Sequence, residues 1–171
     1  HYRAQVLPMQ RITLKDYAKA GFKFCYNLTD MIKTESIIYQ NSESIFKGTI
    51  CFDDEISAPK PGVLVVHTFK GHTDFEVGKA IELAKLGYVG FAVDMYGEGR
   101  STSKPEEANV WMGELNNDRN LLLNRIKLAL ETLKNHPQVA ENKVGGIGFC
   151  FGGKCLLDLV RANEEINGVV S

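Results

Sequence analysis

One nucleophilic side chain, Cys150, stands in a glycine-rich stretch, Gly145-Gly146-Ile147-Gly148-Phe149-Cys150-Phe151-Gly152-Gly153-Lys154. Asn142-Lys143-Val144 reads as a strand entering these glycines, and Cys155 through Ala162 as a helix leaving them. A strand, a sharp glycine-flanked turn and a helix form a nucleophile elbow, usually written G-x-S-x-G. Gly148-Phe149-Cys150-Phe151-Gly152 is its cysteine form. The apex of such a turn holds a strained backbone, and strand and helix pack so closely that a flanking Cβ would collide. The sulfur is thereby lifted above the sheet. The Phe151 N–H is left free at the helix N-terminus, where it and the helix dipole favour a thiolate and a developing oxyanion.

The same glycines admit other readings. Gly148 to Cys155 runs G-x-x-x-x-G-K-C, one residue short of a phosphate-binding loop. That loop ends on a hydroxyl for Mg²⁺, which the soft sulfur of Cys155 does not provide, and Phe149 and Phe151 crowd amides that would close on phosphate. A dinucleotide fingerprint fits less well. Cys150-Phe151 stands where its third glycine falls, and Gly168-Val169-Val170-Ser171 ends without an acid. An ordinary βα turn around a buried structural cysteine also stays open. His67 and His72 could meet Cys150 and Cys155 only at spacings foreign to zinc sites, so neither a metal nor a cofactor is expected.

An elbow works at the carboxyl edge of an α/β sheet, and the preceding sequence supplies one. Ser36-Ile37-Ile38-Tyr39 and Ile45 through Phe52 flank the turn residues Gln40-Asn41-Ser42-Glu43, which predicts a β-hairpin. Gly62-Val63-Leu64-Val65-Val66-His67 and Tyr88-Val89-Gly90-Phe91-Ala92-Val93 are continuous apolar runs, as in strands covered on both faces. Between them, Thr73-Asp74-Phe75-Glu76 is a capping box opening a helix that Gly87 ends. Helical sequence resumes near Glu106. A stronger helix spans about 117–135, with Leu122, Ile126, Ala129, Leu130 and Leu133 on one face, and His136-Pro137 stops it. The elbow and a terminal strand at 168–171 follow. The expected fold is α/β, a mostly parallel sheet with an antiparallel start and helices on both faces. His67, Asp94 and Cys150 end its strands; Asp94 is read as bracing its loop.

With 171 residues and a net charge of −1, the chain can bury one sizeable core and has no basic surface for nucleic acid or an anionic membrane. No apolar run is long enough to span a bilayer. Cys25, Cys51, Cys150 and Cys155 are irregularly spaced with no secretory signal, which points to a reducing, cytoplasmic compartment. Residues 1–30 carry Arg3, Arg11, Lys15, Lys19 and Lys23 against Asp16 and Asp30. They read as an N-terminal extension, either a mitochondrial transit peptide or a leader ahead of a start at Met31. The chain opens on His1 and stops at Ser171 in a strand-like run, so both ends read as cut. Residues 31–171 are expected to form one domain that ends after about the sixth strand.

Three stretches carry a resemblance. The elbow Gly148-Phe149-Cys150-Phe151-Gly152-Gly153, the strand Pro61 through His67, and Leu86 through Gly97 with its Gly-Tyr…Asp-x-Tyr-Gly pattern resemble the dienelactone hydrolase family of α/β-hydrolases. The similarity covers about 33–171 in the family's order. It implies an α/β-hydrolase fold and a Cys-His-Asp triad that hydrolyses small-molecule esters, thioesters or lactones through an acyl-cysteine. On the resemblance, Cys150 is the nucleophile, and the N–H groups of Phe151 and Phe69 are the oxyanion donors. The triad acid and histidine would follow the sixth strand, beyond Ser171. Thr68 stands where the dienelactone-cleaving members have a glutamate beside the thiol. Glu98 stands where they hold a substrate carboxylate with arginine, and Arg100 is a nearby substitute. Both departures point away from dienelactone as substrate, and His67, Thr68 and Arg100 are expected to line the pocket.

Two other functions remain open: a non-catalytic α/β-hydrolase-like binding or scaffold domain, and a nucleotide-binding domain built on Gly153-Lys154. Alkylation separates the catalytic reading from the first. Iodoacetamide at neutral pH should label Cys150 far faster than Cys25, Cys51 or Cys155 in peptide mapping. Equally slow labelling of all the thiols would remove the catalytic reading.

Overall fold

The structure is a computed structural model that describes residues 32–171. The N-terminal extension read over 1–30, with Cys25 and Met31, lies outside the described residues. The elements are β1 (Ile32–Gln40), β2 (Ile45–Asp53), β3 (Lys60–Val66), α1 (Asp74–Lys85), β4 (Val89–Val93), α2 (Pro105–Asn117), α3 (Arg119–Lys134), β5 (Val139–Gly148), α4 (Phe151–Arg161) and β6 (Gly168–Val170).

The strands form one six-stranded sheet in the order β1-β2-β4-β3-β5-β6. The predicted hairpin is present: β1 and β2 pair antiparallel along their length, from Ile32 opposite Asp53 to Gln40 opposite Ile45. β2 meets β4 antiparallel, and every pairing from there on is parallel. The antiparallel start and parallel centre read from the sequence are therefore the observed topology, and the fold is that of an α/β-hydrolase.

Alternation along the central strands sorts side chains to two faces. Leu64, Val66, Phe91 and Val93 join Leu122, Ile126, Ala129, Leu130 and Leu133 of α3 and Cys155, Leu156 and Leu159 of α4 in the main core. Val65 and Ala92 turn the other way, onto Ala80 and Ala84 of α1. The small alanines let α1 lie close to the sheet.

Helix ends follow the predicted chemistry. Thr73 caps α1 with both halves of its capping box formed, and Gly87 follows its end at φ 88°. The helical stretch after Lys104 is two helices with different axes, because Asp118 ends α2 in an extended conformation and caps α3 through the Leu121 N–H. Two boundaries differ from the sequence reading. β5 runs on through Gly145 and Gly146 to Gly148, and α4 starts at Phe151 rather than Cys155. Arg125 is a third surprise. It sits on the buried face of α3, donates from Nη1 to the Met95 carbonyl at 2.8 Å and lies over the Phe46 ring.

The core assignment has a direct test. Leu130 is 1% exposed, whereas Leu86, at the end of α1, is 73% exposed. Leu130→Ala should lower the unfolding free energy in urea by about 2–5 kcal/mol, and Leu86→Ala should change it by less than about 0.5 kcal/mol.

Candidate active site

The ends of β3, β4 and β5 converge as the topology requires. Cys150 is the apex between β5 and α4 and adopts φ 54°, ψ −108°, a conformation costing a non-glycine residue about 1–3 kcal/mol. Two close approaches impose it. A Cβ on Gly148 would lie 2.4 Å from the Gly152 carbonyl, and one on Gly152 would lie 2.2 Å from the Val66 carbonyl oxygen. Glycine at both positions lets the first turn of α4 rest on the end of β3, with Phe149 N–H donating to Val66 O at 3.1 Å.

The three described cysteines are in opposite situations. Cys150 is exposed, and Cys51 and Cys155 are buried. Burial pushes the Cys51 and Cys155 thiols up, in Cys155 with the added repulsion of Asp158, so both remain protonated at neutral pH. Only Cys150 among them faces a cleft, of about 630 Å³, walled by Thr68, Phe69, Phe75 and Glu76. Phe75 packs edge-on against Phe149 at 5.0 Å, which gives the cleft an aromatic side next to the sulfur.

Many backbone donors around this cleft are in use. Thr68 N–H donates to Glu76 Oε1, Lys70 N–H to Thr68 Oγ1, Gly71 N–H to Thr68 O and His72 N–H to Arg100 O. Gly152 and Gly153 N–H donate to Phe149 O and Cys150 O. Among the described residues around the cleft, the N–H groups of Phe69, Asp74, Cys150 and Phe151 have no acceptor in the chain, and those of Phe69 and Phe151 sit in the loop after β3 and at the start of α4. Phe151 is the first residue of α4, where no intrahelical acceptor exists. Unpaired N–H groups on either side of a nucleophile suit an oxygen that gains negative charge.

Behind the cleft lies a buried polar frame. Asp94, fully buried, accepts from the N–H groups of Lys47, Tyr96, Gly97 and Gly99 at 2.7–3.0 Å. Tyr39 OH donates to Asp94 O at 2.7 Å and accepts from Asp94 N–H at 3.0 Å. Asp94 thus braces the loop after β4, as the sequence suggested. Tyr96, fixed by that loop, packs on His67, Phe151 and Trp111 and donates from its hydroxyl to Phe69 O at 2.9 Å.

Two expected pocket residues are elsewhere. His67 is fully buried behind the cleft, with Nδ1 2.5 Å from Thr68 O and Nε2 accepting from Met95 N–H at 3.1 Å. It ends a strand whose side chain alternates inward, so it presents no free nitrogen to the cleft. Arg100 donates to Gly97 O and Tyr96 O and lies over Trp111, facing a separate depression lined by Gln40, Glu43 and Glu98. The turn at Gly97 and Gly99, both at positive φ, directs it there. Thr68 does line the cleft. Lys154 turns to Asn116 Oδ1, away from the loop amides that a nucleotide phosphate would need. Among the described residues no three His, Cys, Asp or Glu side chains cluster to hold a metal.

Sequence reasoning passed over Glu76. Its capping-box role was legible, but its other oxygen reaches back to Thr68 N–H and ties α1 to the cleft loop. A helix-boundary motif gives no sign of a second partner eight residues upstream.

Residues 46–171 match the Dienelactone hydrolase family. A probable 2-oxo-3-(5-oxofuran-2-ylidene)propanoate lactonase of Bradyrhizobium sp is 26% identical over 101 residues, 59% of this chain and 41% of the relative. Among solved structures, m3DLH superposes with a TM-score of 0.78 at 32% identity, covering 81% of this chain and 58% of that one. A dienelactone hydrolase-like promiscuous phosphotriesterase from metagenomic libraries matches with the same TM-score and coverages at 29% identity. The chain therefore spans less than two thirds of the length of the relatives it matches.

The frame predicts a large penalty at one residue far from the sulfur. Asp94→Ala leaves four backbone donors without their acceptor and should lower the denaturant-derived stability by at least about 3 kcal/mol. A loss under about 1 kcal/mol would show that water replaces the carboxylate.

Proposed function

The chain belongs to the dienelactone hydrolase family, and on that premise we propose that the whole protein hydrolyses a carboxylic ester, thioester or lactone, with Cys150 as nucleophile. The observation that carries the reading is the exposed sulfur at a strained apex, φ 54°, with unpaired N–H groups of Phe151 and Phe69 beside it. The Cys150 thiolate attacks the carbonyl carbon. The oxygen that takes the electron pair is held by the two N–H groups, and the alcohol, thiol or ring oxygen leaves with a proton. Water then releases the acyl group from sulfur. The proton carrier is the triad histidine that the family places, with its acid, after the sixth strand.

Phe69 and Phe75 give the cleft an apolar wall for an acyl group, Lys70 is the cation among its lining residues, and Arg100 lies outside it. The lactonase relative supports a cyclic or open ester. Residues 31–171 are the α/β-hydrolase part in this reading, and 1–30 an extension. No helix among the described residues is long and apolar enough to cross a membrane. The free thiols Cys51, Cys150 and Cys155 fit a reducing, cytoplasmic setting.

The test uses the full-length protein and p-nitrophenyl acetate. A burst of p-nitrophenol, an acetyl group on the Cys150 peptide by mass spectrometry, and a loss of at least about 10³-fold in kcat/KM for Cys150→Ala are expected. Hydrolysis at the same rate in the variant, or none in the wild type, would overturn the reading. The non-catalytic binding domain would then take its place.

A further inference from the structure

The buried imidazole of His67 has no place in the acyl-transfer steps above, yet both its nitrogens are committed. Met95 N–H can only donate, so Nε2, 3.1 Å away, carries the lone pair. The proton of the neutral ring is then on Nδ1, which donates to Thr68 O at 2.5 Å. Burial holds the imidazole neutral: it lowers the His67 pKa against the opposing pull of the Thr68 carbonyl, Glu76 and Asp94.

Thr68 C=O and Phe69 N–H belong to one peptide unit. There are no cis peptides in the described chain, so in this unit the C=O and N–H point in opposite directions. Thr68 C=O points inward to a fully buried ring, and Phe69 N–H therefore points outward. The neighbouring units are held by other groups, Thr68 N–H by Glu76 and Phe69 O by Tyr96 OH. His67 grips the unit whose N–H alone in this loop has no acceptor. A hydrogen bond onto the carbonyl also polarises the amide and strengthens its N–H as a donor.

We propose that His67 is a positioning residue for catalysis: through its Nδ1–H it fixes and polarises the Thr68–Phe69 peptide, aiming Phe69 N–H at the oxyanion. The chain of bonds runs from Met95 N–H to Nε2, through the ring to Nδ1–H, to Thr68 C=O, and out through Phe69 N–H. The proposal rests on the hydrolase reading above.

Two measurements on the full-length protein test it, and the first needs no substitution. Long-range ¹⁵N–¹H NMR of the imidazoles at pH 7 should show His67 as the neutral Nδ1–H tautomer; an Nε2–H ring or an imidazolium would overturn the proposal. The second is stopped-flow acylation by p-nitrophenyl acetate in a pair of variants. An asparagine amide NH₂ can occupy the Nδ1 position, whereas a glutamine carbonyl can occupy the Nε2 position. His67→Gln, which keeps an acceptor for Met95 but loses the donor to Thr68, should slow acylation by about 10- to 100-fold with little change in KM, part of the full cost of a lost oxyanion donor. His67→Asn, which keeps that donor, should stay within about 3-fold of wild type. Iodoacetamide labelling of Cys150, which needs no oxyanion donor, should be the same in all three proteins. Equal acylation in His67→Gln and wild type, or the reverse order of the two variants, overturns the positioning role alone. Absence of a burst in the wild type overturns the hydrolase reading and this proposal with it.

Discussion

The contact on which the rest depends is that of the first turn of α4 with the carboxyl end of β3. Gly152 lies where any Cβ would strike the Val66 carbonyl oxygen, and Gly148 where one would strike the Gly152 backbone. With both positions reduced to backbone, the helix docks on the strand, and the connecting residue is left in the left-handed region at φ 54°. That residue is Cys150. The strain is offset by the helix and sheet packing around it, in which Cys155, Leu156 and Leu159 fill the core below. The same docking brings the loop after β3 against the elbow, so that Phe69 and Cys150 share one cleft.

What distinguishes this cleft is a pattern of satisfied and unsatisfied backbone groups. Loops at the carboxyl edge of a parallel sheet carry many N–H groups that no strand pairs. Here Asp94 takes three of them and the Lys47 N–H of β2, Glu76 takes two, and His67 and Tyr96 take up the carbonyls between. Buried acceptors placed at fixed loop positions hold each peptide plane in one orientation. The Phe69 and Phe151 donors are left without an acceptor beside these bonded groups. Side-chain reactivity is sorted by the same burial. Cys155, five residues after Cys150, is kept protonated by its position inside the core, which leaves Cys150 as the exposed thiol among the described cysteines.

Much of the frame was legible from local rules. Alternating and continuous apolar runs gave the hairpin and the parallel strands, Thr73 and Glu76 gave the start of α1, and the five predicted apolar positions on α3 are all buried. Boundaries near the glycines were less legible. Gly145 and Gly146 read as turn, but in β5 they pair with β3 and β6 on either side. A Cβ on Gly146 would press into Leu156 of α4, so these glycines serve close packing rather than a bend. Arg125 escaped the reading because a guanidinium on a helical apolar face is ordinarily a surface group. Its partner, the Met95 carbonyl, is 30 residues away.

The sequence by itself determined the elbow, the order of strands and helices, and Cys150 as the candidate nucleophile at the elbow's apex, because each depends on residues adjacent in the chain or spaced by one structural period. The family signature rests on the same local stretches. Only the tertiary structure decided what His67, Arg100 and Glu76 do. Each stands near the site in sequence order, but its role depends on which way a strand end or turn points the side chain and on which distant backbone group waits there. His67 turns inward to Met95 and Thr68, Arg100 swings to Tyr96 and Trp111, and Glu76 reaches back to Thr68. Those partners become neighbours only when the sheet is assembled, since they lie on other strands and loops whose distance from the site is set by packing rather than by spacing along the chain.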